Sequence, residues 1–518
     1  MTRQAGVLLQ PTSFPGRYGI GDLGEAAYRF VDFLNTAGQS LWQVLPLGPT
    51  GYGDSPYQCF SAFAGNPLLI DLEQLVGDGL LSWDDLNHDL PAFPGDKVDY
   101  GPVITWKLPL LKGSYARVRD HASPELELDF QVFCAENAGW LDDYALFMAI
   151  KDAQGGGAWG GWDLDIRTRQ PAALKRWAGE LAEPVKMQKY LQWQFFRQWL
   201  ALKTYANARG IRIVGDIPIF VAYDSADAWA NRELFFIDDA GQPTVVAGVP
   251  PDYFSVTGQL WGNPLYRWDK MAAQGYQWWL ARFRAMLTMV DIIRVDHFRA
   301  FYDYWEIPAD EKTAVNGQWV PGPGPDLFRI VEAELGQVLI IAEDLGDFTP
   351  AARAGIDALM SEFGFPGMKI LQFGFGSGPT NHFLPHNFTS PDWVAYPGTH
   401  DNDTVMGWYA ESSQPYEREY ALKYLGKTDA DDLAWDIIRL GWASVADTAI
   451  TSVQDLLSLG KEARMNVPSR AGGNWQWRYQ HGDLSEALRK RLLDLTLIYG
   501  RAPQLAVEDA EPDDGDTS

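Results

Sequence analysis

The sequence predicts an α/β fold built on a parallel sheet, and a closed (β/α)8 TIM barrel is the leading form of that fold. The chain has 518 residues, 46% of them hydrophobic, which is enough for one very large domain. Short aliphatic runs recur along it, and amphipathic, helix-like stretches separate them. Strands that are aliphatic on both faces are typical of a parallel sheet covered by helices on both sides. A doubly wound open sheet is the alternative.

Five aliphatic runs are the predicted strands. They are QSLWQVLPLGP (39–49), GIRIVGDIPIF (210–220), MVDIIRVDHF (289–298), QVLIIAEDLG (337–346) and DWVAYPGTHDND (392–403). Amphipathic stretches lie between them. One example is KYLQWQFFRQWLALKTYANARG (189–210), where Gly210 is the predicted C-terminal cap.

The predicted domain organisation is a single (β/α)8 domain over residues 1–505. The segment from about 70 to 205 is rich in helix patterns, Trp and Gly, which predicts a mostly helical insertion at the C-terminal face of the barrel. We expect no separate C-terminal β domain. The acidic, apolar-poor stretch AVEDAEPDDGDTS (506–518) predicts a disordered tail.

Charge and cysteine content exclude several classes of protein. The formal net charge of −26 argues against nucleic acid and anionic membranes as partners. No apolar run approaches the ~20 residues that a membrane span needs. With only Cys59 and Cys134 present, the sequence predicts a reducing, cytoplasmic location without a disulfide framework. It predicts no particular oligomeric state.

One glycine motif has the spacing of a nucleotide-binding fingerprint. GIGDLG (19–24) fits G-x-G-x-x-G, but that fingerprint must follow a strand directly, and QPTSFPGRY with its two prolines intervenes. We therefore predict a sharp turn into a helix over GEAAYRFVDFL (24–34), and no nucleotide cofactor.

Four of the predicted strands end in a carboxylate. The four acids are Asp216, Asp296, Glu343 and Asp401. In a parallel barrel all strands emerge on one face, where active sites are built. The four acids should therefore converge on one pocket.

The run DIIRVDHFRAF (291–301) places two opposite charges on one side of a strand. Arg294 and Asp296 are two residues apart, and a guanidinium beside a carboxylate lowers its pKa by roughly 1–3 units. An ionised, oriented carboxylate is what a nucleophile requires. A plain salt bridge at the barrel mouth is the alternative for this pair alone. We expect Asp291 to cap or pair in the preceding loop.

Glu343 follows the apolar run VLIIA, where a strand leaves the interior. Desolvation and neighbouring acids should raise the pKa of its carboxyl, so that it holds a proton near neutral pH and acts as general acid and then base. Asp344 points the opposite way on a strand, and loop capping is its alternative role. Composition alone does not choose between the two acids.

The motif GTHDNDT (398–404) carries possible metal ligands, but no second histidine cluster accompanies it. We predict no metal. Asp401 is instead expected to accept hydrogen bonds from vicinal hydroxyls, with His400 as a donor. One ionised carboxylate, one protonated carboxyl and a third acid indicate retaining glycoside chemistry.

The blocks DIPIF, DIIRVDHF, IIAEDLG and PGTHDND resemble the four signature regions of the α-amylase superfamily. Within it the chain is most similar to the amylomaltase, or 4-α-glucanotransferase, family. The resemblance runs from QPTSFPGRYGIGDLG to RMNVPSRAGGNWQWR and includes GDSPYQCFSAFAGNPLLIDL, GVPPDYFSVTGQLWGNPLY and FLPHNF.

The resemblance implies a role for each matched residue. Asp296 matches the nucleophile, Glu343 the acid/base and Asp401 the transition-state stabiliser. Residues matched to substrate binding are Arg294, Asp216 and His400 in the donor-sugar subsite, Tyr57 as a stacking aromatic, and Trp261 as a platform. The segment at about 247–266 matches a lid loop over the acceptor side. Family members need no metal or organic cofactor, and they act on malto-oligosaccharides, starch or glycogen-derived glucans.

Two departures concern acceptor binding. Val256 stands where the family pattern has an acid, and FGFGSGP (373–379) lacks a carboxylate that several relatives carry.

The predicted reaction is the transfer of α-1,4-glucan segments. The alternatives are an α-amylase-type hydrolase and a non-catalytic glucan-binding protein, which would have lost at least one of the three catalytic acids.

Overall fold

Eight parallel strands form one sheet in the computed structural model, which describes residues 3–121, 123–251, 255–470 and 472–503. In chain order they are β1 (Gln4–Leu8), β2 (Leu41–Val44), β3 (Arg212–Pro218), β4 (Ile292–Asp296), β5 (Ile340–Ala342), β6 (Gly367–Ile370), β7 (Trp393–Tyr396) and β8 (Thr448–Ser452). The hydrogen-bonded order is β6-β7-β8-β1-β2-β3-β4-β5. The ring closes where the amide of Ala342 donates to the carbonyl of Pro366 at 2.9 Å. The predicted barrel is confirmed.

Strand alternation separates two cores. Ile292 and Arg294 point into the barrel, where Ile292 packs with Leu41 and Val394. Ile293 and Val295 point outward into the core between the sheet and its helices. Because β4 is buried on both faces, its residues are aliphatic except near its C-terminal end, where polar side chains point inward. That end is where the site lies.

Helices cover the outside of the sheet and fill most connections between strands. Glu25–Thr36 joins β1 to β2, in agreement with the helix predicted after GIGDLG. The connection from β2 to β3 contains Leu72–Gly77, Trp83–Asn87, Tyr100–His121, Pro124–Glu136, Ala138–Ala153, Leu164–Arg167, Pro171–Glu180 and Ala182–Ala208. The later helices are Ala226–Ala230, Trp268–Ala273, Gln277–Met289, Pro325–Leu335, Pro350–Phe363, Val405–Gly407, Pro415–Leu425, Leu433–Ala443, Val453–Leu456 and Glu486–Ile498.

The connection from β2 to β3 is the segment predicted as a helical insertion. Its last helix, Ala182–Ala208, has Arg209 as its C-cap. Gly210 follows with a left-handed φ of +73° that a residue with a side chain rarely adopts. The division of the chain into one domain, an insertion and a tail stays a prediction. Residues 506–518 lie outside the described residues.

A second, antiparallel sheet of four strands stands beside the barrel. Its strands, in hydrogen-bonded order, are Gln259–Pro264, Val245–Val249, Asp303–Pro308 and Gln318–Pro321. The segment predicted as a lid loop is therefore mostly a β-hairpin, because Val249 pairs with Gln259 and Gly248 with Leu260. Residues 252–254 lie outside the described residues.

The two ends of the described chain meet at the barrel wall. β1 pairs with β8 in register from Gln4 opposite Thr448 to Leu8 opposite Ser452. Arg501 is buried behind this pair, and its guanidinium donates to the carbonyls of Gln4 and Asp447, each at 3.1 Å. One arginine thus joins the first strand, the last strand and the end of the described chain.

Two further observations concern the predicted surroundings of the protein. In the part of the chain that the structure describes, no helix combines the length and apolarity that a bilayer crossing requires. Cys59 and Cys134 are both free thiols and both are half-buried.

Candidate active site

The inner end of the site is an ion-paired cluster on β3 and β4. Asp216 and Arg294 are paired residues in the ladder between these strands, so they share the inward face. Arg294 Nη1 donates to Asp216 Oδ2 at 2.6 Å and to Asp296 Oδ1 at 3.1 Å. The side chains of Arg294 and Asp216 are 3% and 0% exposed, whereas that of Asp296 is 28% exposed. Asp296 is therefore the member of the cluster that a substrate can reach.

An aromatic wall stands above Asp216. The Tyr57 hydroxyl donates to Asp216 Oδ2 at 2.8 Å, and its ring stacks on His400 with 5.0 Å between centroids and 14° between planes. Trp475 packs against both rings at 5.8 and 5.9 Å. Burial, followed by the negative charge of Asp216, raises the pKa of Tyr57 well above its usual range, so the hydroxyl stays a donor.

Glu343 immediately follows β5, beside the end of β4. Its Oε2 accepts from the amide of His297 at 2.7 Å, and its Oε1 accepts from the amide of Leu345 at 3.1 Å. His297 has a left-handed backbone, with φ +53°, which is uncommon outside glycine. This turn directs the amide that follows Asp296 towards Glu343, and it brings the two acids side by side.

Asp401 lies in the loop after β7, opposite this pair. Its Oδ1 accepts from Asn466 Nδ2 at 2.7 Å, and its Oδ2 lies 3.3 Å from His400 Nε2. Burial opposes ionisation, but the charge and hydrogen bond of His400 and the hydrogen bond of Asn466 outweigh it and hold the pKa of Asp401 below its usual range. The same pairing raises the pKa of His400, although burial lowers it. Asp401 is thus an anion at neutral pH.

The two acids at the centre differ in protonation. Burial, with a further contribution from Asp296, raises the pKa of Glu343 to about 8, as the sequence predicts. The prediction of a lowered pKa for Asp296 is wrong, because burial outweighs Arg294 and raises this pKa to about 6. The order of the two groups nevertheless holds. At pH 7 Glu343 keeps its proton, and Asp296 is mostly ionised.

Trp261 is the predicted site residue that belongs to the antiparallel sheet and not to the barrel. It lies on Gln259–Pro264 of the antiparallel sheet, and its ring meets His297 edge-on at 4.9 Å between centroids. Its Nε1 donates to Gln259 Oε1 at 3.1 Å. The indole therefore borders the side of the site where Asp296 and Glu343 lie.

Two further acids, Asp291 and Asp344, contact other elements of the fold. Asp291 Oδ2 accepts from the amide of Ile213 at 2.7 Å, at the end of β4 remote from the site. Asp344 Oδ1 accepts from the amide of Met368 at 2.8 Å, and Arg353 pairs with its other oxygen at 3.0 Å. Asp291 is paired, as expected from the sequence, and the contacts of Asp344 favour a capping and pairing role for this acid. Among the described residues, no three or more His, Cys, Asp or Glu side chains are grouped as a metal would require.

Sequence reasoning missed three residues of the site. Asn466 and Arg464 contact Asp401, and Trp475 packs on Tyr57 and His400. All three belong to the conspicuous string RMNVPSRAGGNWQWR, which would have directed attention to them. The string contains no carboxylate, so a search for acids at strand ends passes over it.

The chain was compared with known proteins. The family model for 4-alpha-glucanotransferase matches residues 9–485. A 4-alpha-glucanotransferase of Thermus thermophilus is 51% identical over 498 residues, covering 95% of this chain and 98% of the relative. One from Synechocystis is 49% identical over 501 residues, with 96% and 98% covered. The structure of an amylomaltase from Streptococcus agalactiae in complex with acarbose superposes with a TM-score of 0.92 at 41% identity, and 97% of this chain and 100% of that chain are covered.

These matches cover nearly the whole length of this chain and nearly the whole length of each matched protein. They include the segments that carry the four converging carboxylates, and they agree with a barrel whose site is rich in acids and aromatic rings. The α-amylase-type hydrolase is not favoured. The chain belongs to the 4-α-glucanotransferase family, and its activity is that of a 4-α-glucanotransferase.

Proposed function

We propose that the chain transfers α-1,4-glucan segments by a retaining double displacement in which Asp296 is the nucleophile, Glu343 the acid/base and Asp401 the stabiliser of the transition state. The observation that carries this assignment is the pair of neighbouring carboxyls with different proton affinities, Asp296 beside Arg294 and Glu343 with its pKa at about 8. Retaining glycosidic chemistry needs one carboxylate and one carboxylic acid on the same sugar.

In the first step, Asp296 attacks C1 of a glucosyl unit and Glu343 gives its proton to the leaving glycosidic oxygen. A covalent glycosyl-enzyme forms, and the C1–O bond to the leaving chain breaks. In the second step, Glu343 takes the proton of an acceptor 4-hydroxyl, which attacks C1 and releases Asp296. The two inversions together retain the anomeric configuration.

The remaining residues are assigned to binding and charge control. Arg294 keeps Asp296 oriented, and it is itself fixed by Asp216. His400 is assigned as a hydrogen-bond donor to the sugar hydroxyls, and Asp401 as an acceptor from them. Tyr57 presents a flat ring beside them. Developing positive charge at C1 would be stabilised by the Asp401 anion.

The substrates of the family are α-glucans, and we infer malto-oligosaccharides and starch- or glycogen-derived chains as donors, with glucan or glucose as acceptors. Transfer instead of hydrolysis requires that water be kept from the glycosyl-enzyme. The hairpin at 247–266, which brings Trp261 to the edge of the site, is the element proposed to act as a lid.

We also propose a cytoplasmic location and no nucleic acid or anionic membrane partner. The free thiols of Cys59 and Cys134 support the former, and the net charge of −26 supports the latter.

Incubation with maltotriose tests transfer against hydrolysis. We expect a ladder of longer maltodextrins together with glucose and maltose, while the number of reducing ends stays nearly constant, because each transfer breaks one glycosidic bond and forms another. Chromatography of the products and a reducing-end assay measure this. Rising reducing ends without longer chains would contradict the proposal and indicate a hydrolase.

The pH dependence of kcat/KM follows from the two carboxyls. Asp296 must be ionised, so activity should fall as pH drops through about 6, and Glu343 must be protonated, so activity should fall as pH rises through about 8. A bell-shaped profile with its maximum near ~7 is expected, and its limbs belong to the coupled pair. A profile that stays flat from pH 6.5 to 9 would contradict the role of Glu343 as acid.

A further inference from the structure

We propose that Asn466 is a positioning residue for the reaction: its side-chain amide fixes one oxygen of Asp401, and Arg464 holds the two segments together. This inference rests on the proposed role of Asp401 and extends it to a loop that carries no acid. Neither residue is assigned contact with the reacting atoms.

The contact between Asn466 and Asp401 joins two loops that lie far apart in sequence. Asn466 Nδ2 donates to Asp401 Oδ1 at 2.7 Å, and the Asn466 backbone amide donates to the carbonyl of His400 at 3.1 Å. The side chain of Asn466 therefore binds Asp401, and its main chain binds His400, the residue before Asp401. Its position relative to the carboxylate is fixed twice.

Arg464 strengthens the same junction from behind. Its Nη2 donates to the main-chain carbonyl of Asp401 at 2.7 Å, and its Nε donates to the carbonyl of Asn466, also at 2.7 Å. Its Nη1 lies 3.7 Å from Asp403 Oδ2. A planar guanidinium that binds both partners at once sets the distance between them.

Orientation matters here because the Asp401 side chain is only partly enclosed. Its side chain is 45% exposed, so without a partner the carboxylate would rotate between orientations. Asn466 takes Oδ1 and leaves Oδ2 beside His400, on the side where the sugar hydroxyls are proposed to lie. A neutral amide donor orients the carboxylate and keeps its full charge for the transition state.

A second asparagine in the same loop has a different set of contacts. Asn474 Oδ1 accepts from the amide of Val467, and its Nδ2 donates to the carbonyls of Val467 and Arg470. These partners lie within its own loop. The side chain of Asn474 therefore stabilises the loop itself, whereas the side chain of Asn466 binds Asp401 in the other loop.

The test uses two substitutions of Asn466 in the full chain, with kcat and KM measured on maltotriose. Asn466→Ala should lower kcat by about 10- to 100-fold, the range for a lost hydrogen bond to a charged group, and should change KM by less than about threefold. Asn466→Asp keeps the size of the side chain but replaces a donor by a second carboxyl 2.7 Å from Asp401 Oδ1.

The pH profile of Asn466→Asp separates positioning from a merely structural role. Two carboxyls this close share one proton, and the protonated form again donates to Asp401. The activity relative to the unchanged protein should therefore recover by about tenfold between pH 7.5 and 5.5, while the ratio for Asn466→Ala stays flat. The charged and titratable groups around this pair include His400 and Asp403 on one loop and Arg464 on the other. From the rest of the site they include Arg294, Asp296 and Tyr57. All of them are present in both variants.

Asn402→Asp is the matched control for added charge beside Asp401. The Asn402 side chain uses its oxygen to accept from the amide and hydroxyl of Thr399, at 2.9 and 3.0 Å, and a carboxylate can do the same. This variant should stay within about threefold of the unchanged protein at every pH. If it reproduces the loss and the pH recovery of Asn466→Asp, charge alone is responsible and the inference is overturned.

Asp401→Asn, assayed in parallel, tests the proposed function separately. If Asp401→Asn is inactive while both Asn466 variants keep kcat within twofold, the positioning role is wrong and the role of Asp401 stands. If Asp401→Asn keeps its activity, the proposed function fails first. Loss of kcat in both Asn466 variants, with pH recovery only in Asn466→Asp, supports the inference.

Discussion

Replacing Asp296 by Asn should lower the rate of maltotriose disproportionation by at least ~10⁴-fold, because the amide does not form the glycosyl ester. Asn is close in size to Asp and its oxygen can still accept from Arg294, which remains paired with Asp216. The fold should therefore persist, and thermal unfolding monitored by circular dichroism checks this. Product formation from maltotriose, followed over hours at high protein concentration, measures the residual rate.

Asp291→Asn is the matched control for this prediction. Asp291 lies just before the same strand, five positions earlier, and its carboxylate accepts from Ile213 and Asn207 at the opposite end of the barrel. We expect activity within about threefold of the unchanged protein and, at most, a loss of stability of ~1–3 kcal/mol. An equal loss of activity in both variants would contradict the assignment of Asp296 as the nucleophile.

Replacing Glu343 by Gln should lower turnover of maltotriose by about 10²- to 10⁴-fold, the range for a lost general acid/base. The two steps should respond differently to a donor with a good leaving group. An α-maltotriosyl fluoride needs no proton at its leaving fluoride, so Asp296 can still be glycosylated. The second step lacks its base, so the glycosyl-enzyme should accumulate and appear in intact-protein mass spectra as an added maltotriosyl group.

The neighbouring acid is the control for this substitution. Asp344→Asn changes a residue whose carboxylate binds Met368 and Arg353 outside the site. It should turn over maltotriose with less than about a tenfold loss and should accumulate no glycosyl-enzyme. Unchanged turnover in Glu343→Gln would reject Glu343 as the acid/base, and trapping in Asp344→Asn would move the role to its neighbour.

Most of the barrel can be predicted from the sequence because five of its strands lie in runs that are aliphatic on both faces. The three strands that escaped prediction carry polar or small residues. β6 has Lys369 between Met368 and Ile370, β8 consists largely of small residues, and β1 begins with Gln4, Ala5 and Gly6. Lys369 lies over the ring of Trp393 at 3.8 Å, a cation–π contact that lets a buried strand contain a lysine. No periodicity in the sequence shows such a contact.

The acids of the site can be predicted because strand ends in a parallel barrel converge. Their electrostatics are less predictable: Arg294 alone suggests a lowered pKa for Asp296, while the depth of the site, which raises it, depends on the packing of the whole fold. Asn466 shows a second limit. A neutral side chain in a loop gains its role only from the approach of residue 401, 65 positions away in sequence.

The pairing of β1 with β8, fastened by Arg501, makes completion of the enzyme a late event in synthesis. One edge of β1 stays unpaired until β8 and the residues up to Arg501 have been made, although β2 to β5 can already associate. Contacts between residues more than 440 positions apart are slow to form, because the intervening loop must first be closed. A nascent chain that stalls before Thr448–Ser452 has been made therefore exposes an open sheet edge at β1, which chaperones bind and other chains can join.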